Sequence, residues 1–192
     1  MSEEIIFNTE SAIYNQQISP TSVFKCSGFG LIDLLKDKSN IVGLEIGCDV
    51  GDTAYALLEN NPNLTLHSID PYTDYVDWNG NFLKSRDEMY FSVLKRMEKF
   101  GNRFVLHRTT SDEKFEDFSD EEFDFIFIDG LHTYEQLSKD CVNYYSKVKN
   151  NGIFSGHDFQ TIAGVNKAAT EFAEKCEKGI LLTECDVWYW YK

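Results

Sequence analysis

From position 41 onward, short apolar runs alternate with segments whose apolar residues recur at helical spacing. That alternation predicts repeated βαβ units and a mostly parallel sheet. Seven runs read as strands: 41–47, 64–70, 103–108, 123–129, 152–157, 180–183 and 187–191. Several are nearly continuous in Val, Ile, Leu and Phe, as strands covered on both faces are. The last two lie too close together for a crossover helix, so the sheet is expected to end in an antiparallel hairpin.

The intervening segments carry the helical period. After Thr161, the residues Val165, Ala168, Ala169, Phe172, Ala173 and Cys176 form one apolar stripe. Ser85-Arg86-Asp87-Glu88 reads as a capping box opening a second helix, which buries Met89, Val93, Leu94 and Met97 and stops at Gly101. A third helix is expected from Tyr134 to about Val148, burying Leu137, Cys141, Tyr145 and Val148. Residues 29–35 read as a helix beside the first strand. Residues 111–124 hold eight acids and one lysine, but Phe115, Phe118 and Phe123 interrupt them, which predicts a short solvated helix and turn.

At 192 residues and 42% hydrophobic content, the chain supports one domain with a real core. Within it, residues 1–40 are expected to form an N-terminal helical segment capping the sheet or the site, and residues 41–192 the α/β domain. Ser19-Pro20-Thr21 marks a break in the first part. Upstream of it, Tyr14, Gln16 and Gln17 leave two readings open: a cover over a binding site, or a contact in a homo-oligomer.

The net charge of −14 argues against a nucleic-acid partner, since phosphate neutralisation needs clustered Lys and Arg. Five cysteines without a C-x-x-C pair do not suggest a disulfide framework and point to a reducing compartment. The N-terminus MSEEIIFNTE has acids where a signal peptide needs bases, and no run is long enough to span a membrane. A cytoplasmic protein is expected.

Candidate chemistry starts after the first strand. Leu44-Glu45-Ile46-Gly47-Cys48-Asp49-Val50-Gly51 places a glycine turn between strand and helix, where doubly wound sheets bind nucleotides. A dinucleotide fingerprint would be G-x-G-x-x-G; here Asp49 replaces the second glycine, and Glu45, Asp49 and Asp52 would repel a pyrophosphate. Acids around such a turn suit a cationic ligand, a sulfonium with an ammonium. Asp70, ending the second strand, can accept both hydroxyls of a ribose.

E-x-G-x-x-x-G followed by a strand-end Asp resembles the first two motifs of class I S-adenosylmethionine-dependent methyltransferases. The resemblance implies a Rossmann-like, doubly wound, seven-stranded sheet that is mostly parallel with an antiparallel C-terminal hairpin. It implies S-adenosylmethionine as cofactor, with Glu45, Gly47, Asp49 and Gly51 at its methionine end and turn, and Asp70 on its ribose. Pro71 and Tyr72 would lie beside the adenine edge. Thr109, Thr110 and Ser111, after the third strand, stand where that fold contacts adenine, although Ser111 reads equally as a helix N-cap.

The fourth strand ends in Asp129-Gly130-Leu131-His132-Thr133-Tyr134-Glu135 and the fifth in Gly156-His157-Asp158. If these strands are parallel neighbours, Asp129, His132, His157 and Asp158 converge into a divalent-metal site or an acid–base pair. D-G-x-H-x-Y-E followed by G-H-D resembles small-molecule O-methyltransferases related to the macrolide-sugar and catechol enzymes and to cephalosporin-hydroxylase-like proteins. The resemblance implies methylation of a small-molecule hydroxyl on a sugar or catechol-like diol. It implies His132 as general base, Asp129 as its catalytic partner and a cofactor contact, and Asp129, His157 and Asp158 around magnesium or manganese. His157 departs from the oxygen ligands of that pattern, which disfavours magnesium. A loop from Tyr72 to Asn81, with Tyr75 and Trp78, suits stacking on a sugar or flat ring. His67 and His107 lie within strands and read as packing residues. A metal-dependent hydrolase or hydroxylase, or a non-catalytic Rossmann-like binding module, would use the same framework. A nicotinamide-dinucleotide domain fails on Asp49 and the missing glycine.

Overall fold

A computed structural model of the chain describes residues 27–36, 38–76, 82–83, 86–183 and 185–192. In chain order the elements are α1 (Ser27–Leu35), β1 (Ile41–Ile46), α2 (Asp52–Asn60), β2 (Leu64–Ile69), β3 (Tyr75–Val76), β4 (Phe82–Leu83), α3 (Asp87–Met97), β5 (Phe104–His107), α4 (Ser111–Lys114), β6 (Phe123–Ile128), α5 (Tyr134–Tyr144), β7 (Val148–Gly156), α6 (Ala163–Lys175), β8 (Leu181–Leu182) and β9 (Trp188–Tyr191). All seven strand runs pair in one sheet of order β5-β2-β1-β6-β7-β9-β8. The first five are parallel, and β9 runs antiparallel to both β7 and β8, as the short connection between the last two runs required.

Side-chain alternation divides the core into two layers. Leu44, Ile46, Ile126 and Ile128 join Leu137, Cys141, Val165 and Ala169 of α5 and α6. Phe125, Phe127, Leu64 and Leu66 join Leu31, Leu57, Val93 and Met97 of α1, α2 and α3. Both faces of the sheet are covered, so the nearly continuous apolar runs have somewhere to go. A separate two-stranded ribbon of β3 and β4 follows β2.

Several expectations change in detail. The third predicted helix stops at Tyr144, and Val148 instead opens β7 opposite Phe123. Its buried face is Leu137, Asp140, Cys141 and Tyr144. That set follows the i, i+3, i+4, i+7 rule, whereas a strict four-residue spacing drifts around the helix and carries Tyr145 off the face. On α3, Val93 and Met97 are buried but Leu94 is 39% exposed. Residues 1–26, Trp78 and Ser85 lie outside the described residues, and with them the N-terminal cover or oligomer contact, most of the aromatic loop and the capping-box hydroxyl. No helix among the described residues is long and apolar enough to cross a membrane.

His67 of β2 and His107 of β5 are neighbours, Nδ1 to Nε2 at 3.0 Å, stacked on each other beneath the edge of Phe118. Burial holds both below the ordinary histidine range, His107 at about 4. Unfolding frees both rings to protonate near pH 6.5, so the unfolded chain binds more protons below that pH. The stability these rings contribute is complete above pH 6.5 and is lost as pH falls through about 4. Urea midpoints of the wild type and His107→Leu, measured from pH 7 to pH 4, are expected to show a shallower acid loss in the variant. Parallel curves would remove the pair from the acid response.

Candidate active site

The sheet's carboxyl edge is built around one tight turn. Beyond β1 the backbone takes positive φ at Gly47 (94°), Asp49 (47°) and Gly51 (80°), the last capping α2. Gly47 N–H donates to the Ile69 carbonyl at 2.8 Å, and Asp129 N–H to the Ile46 carbonyl at 2.7 Å. The tips of β1, β2 and β6 therefore meet at Gly47, where a Cβ would lie 2.1 Å from the Asp129 carbonyl oxygen.

Asp70 clasps this turn from the end of β2. Its Oδ2 accepts the Asp49 N–H at 2.9 Å and its Oδ1 the Tyr72 N–H at 3.0 Å. Only 7% of the residue is exposed, and burial pushes its carboxyl up to about 6 against those backbone donors. Tyr72 is buried too, its hydroxyl donating to the Asp49 carbonyl at 2.9 Å. Tyr72 thus acts as a latch beneath the turn. Pro71, between them, is half-buried.

The acids of the turn do not stand as open charge. Asp49 is ion-paired with Arg86, which caps α3. Asp52 pairs with Arg96 at 2.5 Å, and the same guanidinium reaches the Val50 carbonyl at 3.0 Å. Glu45 is 1% exposed; its Oε2 accepts from Ser68 Oγ at 2.6 Å, while Oε1 has no partner among the described residues. Burial pushes Glu45 up to about 8, with Asp129 and Asp70 adding to the shift, so it holds its proton at neutral pH. The electrostatic contrast between a cationic ligand and a pyrophosphate, expected from three acids in sequence, is therefore largely cancelled. The cancelling arginines lie 37 and 44 residues away from their partners.

Beyond β5, Thr110 is the N-cap of α4 in a reciprocal capping box with Glu113, and Ser111 is its first helical residue. Gln136 of α5 donates to Ser111 Oγ at 3.3 Å and to Asp140 at 3.2 Å, and Tyr144 donates to the Ser111 carbonyl at 2.8 Å. Both hydroxyls are thus engaged in holding the loop, and the N-cap expected at Ser111 falls one residue earlier, at Thr110. In sequence, Asp140 stands out only as an acid on the apolar stripe of α5, and Gln136 and Tyr144 carry no signal of their contact with Ser111.

At the ends of β6 and β7 the four expected residues converge. His132 Nε2 lies 3.1 Å from Asp129 Oδ1 and 3.1 Å from Asp158 Oδ2. His157 Nδ1 lies 3.3 Å from Asp158 Oδ1 and 3.6 Å from Asp129 Oδ1, and its Nε2 donates to the Cys185 carbonyl at 3.1 Å. Burial works against every charge here, yet the imidazoles hold Asp129 well below the carboxylate range. The carboxylates in turn raise His132, and they push His157 up to about 10. The carboxylates thus favour the protonated form of each ring against its burial. The ligand atoms of Asp129, His132 and Asp158 lie within 4.8 Å of one another; His157, expected as the third ligand, is not in that group. Sequence could place both imidazoles at strand ends, but not decide which nitrogen faces inward.

The methyltransferase-domain family matches residues 44–159, from the glycine turn through Asp158. No curated protein matches significantly. Among solved structures, a putative caffeoyl-CoA O-methyltransferase from Staphylococcus aureus superposes with a TM-score of 0.66 at 16% identity, covering 88% of this chain and 84% of that one. A precorrin-6y C5,15-methyltransferase from Geobacter metallireducens gives 0.64 at 13% identity, covering 86% of each chain. A methyltransferase of Podospora anserina bound to S-adenosylhomocysteine gives 0.62 at 18% identity, covering 86% of this chain and 77% of that one. These likenesses share the fold, and the family match spans more than half of the sequence and contains both the turn and the polar cluster: the chain belongs to the methyltransferase-domain family.

Proposed function

We propose that the protein transfers a methyl group from S-adenosylmethionine to a hydroxyl oxygen of a small molecule, a sugar or catechol-like diol. The observation that carries this reading is the convergence of Asp129, His132, His157 and Asp158 beside Gly47, at contacts of 3.1–3.6 Å. A family member needs a donor site and a group that manages acceptor charge, and here the two share the Gly47–Asp129 contact. The S-adenosylhomocysteine-bound relative and the O-methyltransferase relative support the same direction.

The turn fits the donor. A buried carboxyl oxygen without a partner among the described residues, Glu45 Oε1, is costly in the folded chain; a ligand's ammonium would favour release of the Glu45 proton to solvent and then donate to the ionised oxygen. Asp70 keeps acceptor capacity for ribose hydroxyls beyond its two backbone donors. S-adenosylmethionine supplies the electrophilic methyl. The protein's part is to hold donor carbon and acceptor oxygen in line at near-attack distance. Asp129 and Asp158 accept hydrogen bonds from the acceptor hydroxyls. As the oxygen attacks, the methyl–sulfur bond breaks to leave the neutral thioether, and the hydroxyl proton passes to the carboxylate that accepts its hydrogen bond and from there to solvent. A chain of charge −14 favours neutral or cationic acceptors over phosphorylated ones.

Calorimetry with S-adenosylhomocysteine, followed by mass spectrometry of sugar and catechol panels incubated with S-adenosylmethionine, tests this. One-to-one binding and a gain of one methyl on oxygen are expected. Binding without methyl transfer to any hydroxyl acceptor would shift the reading to a metal-dependent hydrolase or hydroxylase on the same cluster. Absence of binding would end it.

A further inference from the structure

The roles within the polar cluster are distributed differently from those the resemblance implies. His132 Nε2 sits 3.1 Å from two carboxylate oxygens on different residues. One N–H cannot point along both contacts, and 3.1 Å is long for a hydrogen bond between opposite charges, which closes to about 2.7–2.9 Å. Those two edges, with all three ligand atoms within 4.8 Å of one another, suit three ligands of one ion. An edge of 3.1 Å corresponds to a metal–ligand distance of about 2.2 Å in an octahedron and about 1.9 Å in a tetrahedron. The tetrahedral value is shorter than protein zinc bonds, at about 2.0–2.2 Å. Magnesium prefers oxygen ligands at about 2.0–2.1 Å, and an imidazole nitrogen in the set works against it.

His157 plays another part. Its Nε2–H is fixed on the Cys185 carbonyl, and its Nδ1 faces Asp158 Oδ1, the oxygen that His132 does not approach. Asp158 itself sits at φ 59°, in the left-handed region, so its carboxylate is presented between the two rings. One oxygen is held by His157 and the other is turned toward Asp129 and His132.

We infer that Asp129 Oδ1, His132 Nε2 and Asp158 Oδ2 bind a six-coordinate first-row divalent ion, manganese or iron(II), and that His157 orients Asp158 without ligating. The assignment rests on the methyl-transfer reading for its purpose and on the cluster alone for its geometry. Three protein ligands leave coordination positions for the paired oxygens of a diol.

Chelator-stripped protein titrated with manganese chloride, read by electron paramagnetic resonance and calorimetry, tests the assignment in the wild type, His132→Ala, His132→Gln, Asp158→Asn and His157→Asn. One ion per chain is expected, with spin-echo modulation from a directly bound imidazole nitrogen. His132→Ala and His132→Gln are expected to lose that modulation and weaken binding by at least about 100-fold. His157→Asn is expected to keep it and to weaken binding only about tenfold, as loss of an orienting partner does. Magnesium at a hundredfold excess is expected not to displace the ion. Loss of the nitrogen signal in His157→Asn with retention in His132→Gln would overturn the ligand set; no manganese bound by the wild type would make the cluster an ion-free salt-bridge network. S-adenosylhomocysteine binding, measured on each protein, reports folding and separates the two readings: its absence in the wild type overturns methyl transfer, whereas its presence without manganese overturns only the ion.

Discussion

Gly47→Ala is expected to unfold the cofactor turn and to remove S-adenosylhomocysteine binding altogether. Gly47 has φ 94°, and a Cβ there would lie 2.1 Å from the Asp129 carbonyl oxygen and 2.8 Å from Gly130 Cα. Both obstacles are backbone, so neither can rotate aside. The positive φ costs an L-residue about 1–2 kcal/mol, and forcing apart the tips of β1 and β6 adds about 1–3 kcal/mol. Those terms together are a large part of a domain's net stability. Gly101→Ala is the matched control: its φ is 56°, but nothing lies within 4 Å of an added Cβ. At φ 56° and ψ −130° an L-residue is strained by about 1–3 kcal/mol from the backbone alone, so Gly101→Ala is expected to lose stability without a clash and to leave binding intact. Urea unfolding and calorimetry on the two variants check this, and a Gly47→Ala protein that binds normally would show that the turn is more plastic than its contacts imply.

Asp70→Ala is expected to weaken S-adenosylhomocysteine binding by about 100-fold or more. The carboxylate satisfies the Asp49 and Tyr72 N–H groups, and its removal leaves both without that acceptor; under the proposed function it also removes the acceptor for the ribose hydroxyls. Hydrogen bonds to a charged group contribute about 1.5–3 kcal/mol each, so loss of even one for the ligand and disorder of the turn reach that magnitude. Asp70→Asn keeps one acceptor oxygen and is expected to lose about tenfold. The ionised carboxylate is the better acceptor, and burial places its pKa at about 6. Affinity in the wild type is therefore expected to fall as pH drops below about 6, and to show no such inflection in Asp70→Asn. Calorimetric titrations between pH 5 and 8 would show it. An Asp70→Ala protein with unchanged affinity would mean that Asp70 serves the turn alone.

The acidic character of the protein is less aggressive at the site than its composition implies. Arg86 and Arg96 both lie on or at the cap of α3 and answer the two aspartates of the glycine turn. Asp49 keeps 61% of its side chain exposed, whereas its partner Arg86 is largely covered. The pairing therefore stiffens the approach of α3 to the turn more than it stabilises the fold, since exposed ion pairs contribute little.

Much was determined by the order of residues alone. Hydrophobic periodicity located all seven strands of the main sheet and the antiparallel ending, because a buried parallel strand needs a continuous apolar run and a crossover needs length. Motif spacing located Gly47, Asp70, Asp129, His132, His157 and Asp158 at one edge, because parallel strands bring their carboxyl ends together. What the sequence did not contain was the partner of each polar group. Arg86 on Asp49, Gln136 on Ser111, the Cys185 carbonyl on His157 and the placing of His132 between two carboxylates are long-range choices made by packing. Proton affinities follow from those choices, since burial raises that of Glu45 and the neighbouring carboxylates raise that of His132 against its burial. Periodicity is a local property and survives in one dimension; pairing and dielectric are properties of the folded interior and exist only once it has formed.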